Sequence, residues 1–124
     1  VFDTEYVIVT NQGGIAAGFV DEDEWVNKIE TIIDVLNPRI DIVNYYYAGS
    51  ISMLDLDRKP NAGMAFRAAC DSSLSTLKTS VMIGDASGKP HQHSDSDLEF
   101  ARNAEIGFYY DVEDLERGNL INLI

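Results

Sequence analysis

Tyr6–Gly18 reads YVIVTNQGGIAAG. Tyr6–Thr10 is a β-branched, aromatic run without a charged interruption, the composition of a buried strand covered on both faces. Asn11–Gly18 is a glycine-rich turn that releases the chain from that strand. The helix that follows opens on Asp21 and Glu24. This acidic D-x-x-E start is close to a capping box, and the run DEDE suits the positive end of a helix dipole. Trp25, Ile29, Ile32 and Leu36 recur at i, i+4, i+7 and i+11 as one apolar stripe, and Pro38 ends the helix. Ile40–Ala48 (IDIVNYYYA) then returns as a second strand. A strand, a turn, a crossover helix and a strand are the opening of an α/β protein.

The rest of the chain repeats that alternation. Gly49–Lys59 is a loop leading to Pro60, and Asn61–Asp71 reads as a short helix carrying Met64, Phe66 and Ala68. Thr79–Ile83 is a third strand, and Gly84–His93 is a polar loop. Ser94 with Asp97 starts another helix over Asp95–Ala104. Ile106–Tyr110 is a fourth strand, and Val112–Arg117 reads as a last helical turn. The order β-α-β-α-β-α-β predicts a Rossmann-like parallel sheet with helices on both faces. With no repeat, no low-complexity tract and no linker, residues 1–124 read as a single domain.

Composition narrows the classes. The 124 residues are 45% hydrophobic and 24% charged, a globular balance. Nine basic residues against 21 acidic ones leave a net charge of −12. That charge opposes broad binding to a nucleic-acid backbone and favours a carboxylate-built cation site. No apolar run approaches the length of a membrane span, and no signal peptide is visible. Cys70, the single cysteine, has no partner for an internal disulfide, which points to an intracellular compartment, cytoplasmic or nuclear.

In open α/β sheets ligands bind outside the carboxyl ends of the strands. Here those ends carry Thr10-Asn11-Gln12-Gly13-Gly14, then Arg58-Lys59-Pro60, then Gly84-Asp85. A hydroxyl with backbone N–H groups, an ammonium and a carboxylate are the parts needed to hold a phosphate beside a divalent cation. Taken singly, each has a plain alternative: Thr10 ends a strand, Arg58 and Lys59 are solvated, and Gly84-Asp85 is a turn. A dinucleotide fold fits less well. Gly14-x-x-x-Gly18 misses the G-x-G-x-x-G spacing, and Asp34 falls inside a helix. No P-loop motif is present. His91 and His93 lack the further ligands of a zinc site and read as loop.

At these residues the chain resembles the haloacid dehalogenase-like phosphatases. VIVTNQGGIAAG looks like their second motif, DRKPNAGM like the third with its phosphate-binding lysine, and VMIGDASG like the fourth with its metal-ligating aspartate. The TNQ-G-I turn and RKP-x-x-G-M are similar to the branch holding polynucleotide 3′-phosphatases and the histidinol- and heptose-phosphate phosphatases. Ser94, Asp97, Phe100, Ala101 and Asn103 follow the polynucleotide 3′-phosphatase pattern S-x-x-D-x-x-F-A-x-N. Gly49–Lys59 has no cysteine, unlike the zinc loop common in the bisphosphate enzymes.

The resemblance implies Mg²⁺-dependent hydrolysis of a phosphomonoester through an aspartyl-phosphate, with a nucleic-acid 3′ end as the substrate and DNA repair as the setting. It implies Thr10, Lys59 and Asp85 as catalytic residues. Thr10, Asn11, Gln12, Gly13, Arg58 and Lys59 would contact substrate, and Asp85 with Asp97, or Asp95, would hold Mg²⁺. The alternatives are a sugar- or histidinol-phosphate phosphatase and a non-catalytic phosphate-binding or interaction domain. One motif departs from the pattern. No D-x-D-G-T nucleophile motif is present, and Asp3 stands only seven positions before Thr10. The sequence therefore reads as an incomplete chain whose nucleophile strand is missing at or near the N-terminus, with Asp3 as a stub of that motif or a plain surface residue.

Overall fold

The computed structural model describes residues 4–72 and 76–124. These form two compact units, one ending at Arg58 and one beginning at Lys59. Asp3, the candidate stub of a nucleophile motif, lies outside the described residues.

The first unit is a β-α-β element. Strand β1 (Glu5–Asn11) pairs in parallel with β2 (Asp41–Ala48), Thr10 opposite Tyr47 and Asn11 opposite Ala48. Helix α1 (Glu22–Leu36) connects them. Asp21 is its N-cap, accepting from the Glu24 backbone N–H at 3.0 Å, and Glu22, Asp23 and Glu24 crowd the first turn. These are the features that satisfy the orphan N–H groups and the positive dipole end. The helix stops before Pro38, where Asn37 Oδ1 accepts from the Ile42 N–H at 3.0 Å and ties the turn to β2. Trp25 packs its ring on Tyr47 and Tyr45, with centroids 4.7 and 6.2 Å away. The phenols of Tyr47 and Tyr45 donate to Glu22 and Glu30, each at 3.0 Å. The helix is thus fastened to β2 by aromatic contact and by hydrogen bonds at its rim.

The second unit holds helix α2 (Gly63–Asp71), β3 (Val81–Gly84), helix α3 (Ser96–Asn103), β4 (Phe108–Asp111) and a short β5 (Ile121–Asn122). Strand β4 is central, parallel to β3 and antiparallel to β5. Its core is Met64, Ala65, Met82, Phe100, Ala101, Ala104, Ile106 and Tyr109. A 3-10 turn over Val112–Asp114 answers the expected last helical turn.

The α/β class and the element order agree with the sequence reading, with boundaries shifted by one or two residues. The sheet differs in three respects. The described strands form two sheets, β1–β2 and β3–β4–β5, and not one. The two-residue β5 adds an antiparallel edge. Burial is also one-sided: Met82 and Gly84 are buried while Val81 and Ile83 stay about half exposed, and Tyr6 and Val7 of β1 are exposed. A run of apolar residues was the signal for a strand covered twice, yet that signal cannot say what does the covering.

Gly107 sits where two segments close on β4. Its N–H donates to Leu77 O at 3.0 Å and its carbonyl accepts from Leu123 N at 2.9 Å. A Cβ there would lie 1.8 Å from the Lys78 carbonyl oxygen, a backbone atom that cannot swing aside. Gly107→Ala should therefore destabilise the protein by about 2 kcal/mol or more, the range for overpacking a tight site. Urea denaturation checks this through the midpoint at unchanged slope. A midpoint equal to that of the parent would refute the close approach.

Candidate phosphate and cation site

The second unit gathers three of the sequence-predicted residues. Asp97, in the first turn of α3, is 5% exposed. Its Oδ1 accepts from Lys59 Nζ at 2.5 Å, and its Oδ2 accepts from the backbone N–H groups of Asp85 and Ala86 at 3.2 and 3.1 Å. In return the N–H groups of Asp97 and Leu98 donate to Ala86 O at 3.0 and 3.2 Å. One buried carboxylate thus holds both the ammonium and the turn that carries Asp85. Taking a charge out of water costs several kcal/mol unless it is paired and hydrogen-bonded, and Asp97 meets both conditions.

Gly84 is what permits this approach. A Cβ at position 84 would stand 2.6 Å from both Cβ and Oδ2 of Asp97. The glycine before Asp85 therefore serves close packing rather than only a turn. Asn103, at the end of α3, donates from Nδ2 to Pro60 O at 2.9 Å and fastens the segment that carries Lys59. Asp85 itself is exposed at the end of β3.

The first unit holds the other candidates. Gln12 Nε2 donates to Thr10 Oγ1 at 3.0 Å, and the Gln12 N–H donates to Ala48 O at 2.8 Å, which seats the turn on the end of β2. Arg58 Nη1 donates to Ser50 O at 3.1 Å and lies against Gly13, 3.3 Å from where a Cβ would be. Thr10, Gln12, Gly13 and Arg58 are accordingly gathered at the carboxyl end of the β1–β2 pair, with Asn11 closing β1.

Asp95 is the N-cap residue of α3 but makes no capping hydrogen bond there. His91 pairs with Glu113, Nε2 lying 2.8 and 2.9 Å from its carboxylate oxygens. No cluster of three His, Cys, Asp or Glu side chains suited to a metal occurs among the described residues. A single hard carboxylate such as Asp85 still fits Mg²⁺, which commonly binds one or two carboxylates and fills its shell with water and phosphate oxygens. The second oxygen of Asp97 is already taken by two N–H groups, so Asp97 could contribute only through Oδ1.

Sequence reasoning missed a second buried carboxylate beside this loop. Asp111 closes β4 and is 1% exposed. It accepts from the Ser87 hydroxyl, from Gln92 Nε2 at 2.7 Å and from the Glu113 N–H at 2.8 Å. Burial alone would raise its pKa. The hydrogen bonds from Ser87, Gln92 and Glu113, with the Lys89 charge, outweigh that and lower it to about 2. Tyr109, fully buried, lies 2.6 Å from Ser87 Oγ, and burial pushes its phenol up to about 12. The one available signal was a charged residue ending the aromatic run FYYD.

Residues 3–113 match the family described as polynucleotide kinase 3 phosphatase. The chain belongs to that family. It is also similar to the polynucleotide 3'-phosphatase ZDP of Arabidopsis thaliana, 31% identical over 121 residues, an alignment covering 83% of this chain. That alignment spans 16% of the length of the Arabidopsis protein. The matched region contains Thr10, Lys59, Asp85, Asp97 and Asp111.

A carboxylate whose pKa is lowered by folding stabilises the fold above the ordinary aspartate range, and that contribution is lost as pH falls toward the folded value. For Asp111 the window runs from about pH 4 down to about 2. Asp111→Asn should therefore be less stable than the parent near neutrality and should lose less stability across that window. Thermal melts between pH 6 and 2.5 test it. Parallel pH curves for the two proteins would show that Asp111 gains nothing from its partners.

Proposed function

We propose that the protein carrying this chain removes a phosphate from the 3′ end of a polynucleotide. Family membership supports the class of reaction, and the observation that carries the reading is the Lys59 ammonium held by buried Asp97 beside the Gly84-Asp85 turn. An ammonium fixed in this way is a ready counter-charge for a phosphoryl group, with little reorganisation on binding. No helix among the described residues is long and apolar enough to cross a membrane, and the substrate is read as a phosphorylated nucleic-acid end.

In this reading Lys59 neutralises the phosphoryl oxygens, and Thr10 and Asn11 have the role of hydrogen-bond donors to substrate. Gln12, Gly13 and Arg58 take up the neighbouring part of the substrate. Asp85 is the principal Mg²⁺ ligand, with Asp97 Oδ1 as the second candidate. Bound Mg²⁺ would offset the repulsion between an anionic nucleophile and an anionic phosphate. The reaction is a displacement in two steps. An aspartate oxygen bonds to phosphorus while the bond to the 3′ oxygen breaks, and that oxygen leaves as a hydroxyl after taking a proton. Water then attacks the aspartyl-phosphate, releasing inorganic phosphate and restoring the carboxylate. The nucleophile is not among the residues described here.

The test uses the full-length protein and a 3′-phosphorylated oligonucleotide, with 5′-phosphorylated oligonucleotide and histidinol phosphate as competitors. We expect release of phosphate from the 3′ end only. Lys59→Ala and Asp85→Asn should each lower kcat/KM by about 10²–10³, the usual loss for one preorganised charged group. Equal turnover of histidinol phosphate would move the substrate to small molecules. Binding of the 3′ phosphate without release would identify a non-catalytic module.

A further inference from the structure

The loop after β3 is gripped from two sides. Asp97 takes the N–H groups of Asp85 and Ala86. The next residue, Ser87, is held by a different set. Its N–H donates to Gln92 Oε1 at 2.8 Å, and its hydroxyl donates to Asp111. With that proton committed, the Ser87 oxygen can only accept from the Tyr109 hydroxyl, 2.6 Å away. The hydrogen bonds therefore run one way, from Tyr109 to Ser87 to Asp111. Gln92 closes the circuit, since its Oε1 also accepts from the Lys89 N–H at 3.2 Å while its Nε2 donates to Asp111 at 2.7 Å. Lys89 Nζ meets Asp114 at 2.9 Å on the same side.

Tyr109 and Asp111 belong to the central strand, and both are almost completely buried. Both are held in the core, whereas Asp85 is exposed at a strand end, its N–H bound by Asp97 and its carboxylate in solvent. We propose that Asp111 is a positioning residue for Asp85, fixing the Asp85–Ser87 turn through Ser87 and Gln92 so that the Asp85 carboxylate meets a divalent cation already oriented. The proposal rests on the reading of Asp85 as the cation ligand. Its mechanism is the one by which outer hydrogen-bond partners orient a ligating side chain, where losses of about 10- to 100-fold in metal affinity follow their removal.

The experiment titrates the full chain with Mg²⁺ alone, following backbone amide resonances, and measures amide hydrogen exchange in the same samples. Asp111→Asn is expected to weaken Mg²⁺ binding at Asp85 about tenfold. It should also speed exchange at Ala86, Ser87 and Gly88 while the amides of β3 and β4 keep their protection. Ser87→Ala removes only the hydroxyl link, so it should reproduce most of the affinity loss even if Asp111→Asn does not fold. The double variant should lose little more than the worse single one, because both act through one chain of contacts. A folded Asp111→Asn or Ser87→Ala with parental Mg²⁺ affinity and parental exchange at 86–88 overturns the proposal. If the parent itself shows no Mg²⁺ shifts at Asp85, the cation reading fails. The exchange arm then still decides the turn: faster exchange upholds the positioning by Asp111, and parental exchange overturns it.

Discussion

The bond between Lys59 and Asp97 is the constraint on which the second unit's chemistry depends. A nearly buried carboxylate must be fully partnered, and Asp97 achieves this by drawing in an ammonium and two backbone N–H groups. Three features follow. Residue 84 must be glycine, because α3 lies against it. The Asp85 turn is set by the same carboxylate that sets Lys59. The segment leading into α2 is fastened to the end of α3 through Asn103. An ammonium and the turn carrying an exposed carboxylate are thereby placed around one buried side chain.

The net charge of −12 stands in apparent conflict with the proposed nucleic-acid substrate, since phosphate contacts dominate nonspecific affinity. The conflict disappears if only an end is held. One terminal phosphate needs a single well-supported ammonium and a few N–H donors, and strong basicity elsewhere would retain the polymer after the reaction. Much of the acidity also has structural work. Asp21 caps α1, Glu22 and Glu30 accept from tyrosines of β2, and Asp97 and Asp111 brace the loop after β3.

The fold was legible where periodicity or capping chemistry is local. The Asp21 cap and the Pro38 stop are each written within a few residues, and the structure follows them; the α1 stripe is only half followed, since Trp25 and Ile29 are half-buried while Ile32 and Leu36 are exposed. The site could be read only as residue types, with Lys59 and Asp85 after strands and Asp97 opening a helix, and Lys59 and Asp97 stand among other charged residues such as Asp57, Arg58, Asp95 and Glu99. What the sequence could not carry were pairings between distant positions. Asp97 with Lys59, and Ser87 with Asp111, are separated by 38 and 24 residues, and nothing in either local stretch names the other. Gly84 looked like a turn because a close approach leaves no trace except a missing side chain. The same holds for β5, whose two residues are too short for an alternation to show.

The central claim is that Asp97 aims Lys59 at a phosphate, so that the two act as one element. The direct measurement is the affinity of the full chain for an oligonucleotide with a 3′ phosphate relative to the same oligonucleotide with a 3′ hydroxyl. It is taken for the parent, Lys59→Ala, Asp97→Asn and the double variant, with circular dichroism confirming that each is folded. The account predicts a preference for the phosphate in the parent that falls by a similar factor in all three variants, the double adding little. A folded Asp97→Asn that keeps the parental preference, or exceeds it, would mean that the carboxylate merely competes with phosphate for Lys59, and would contradict the account.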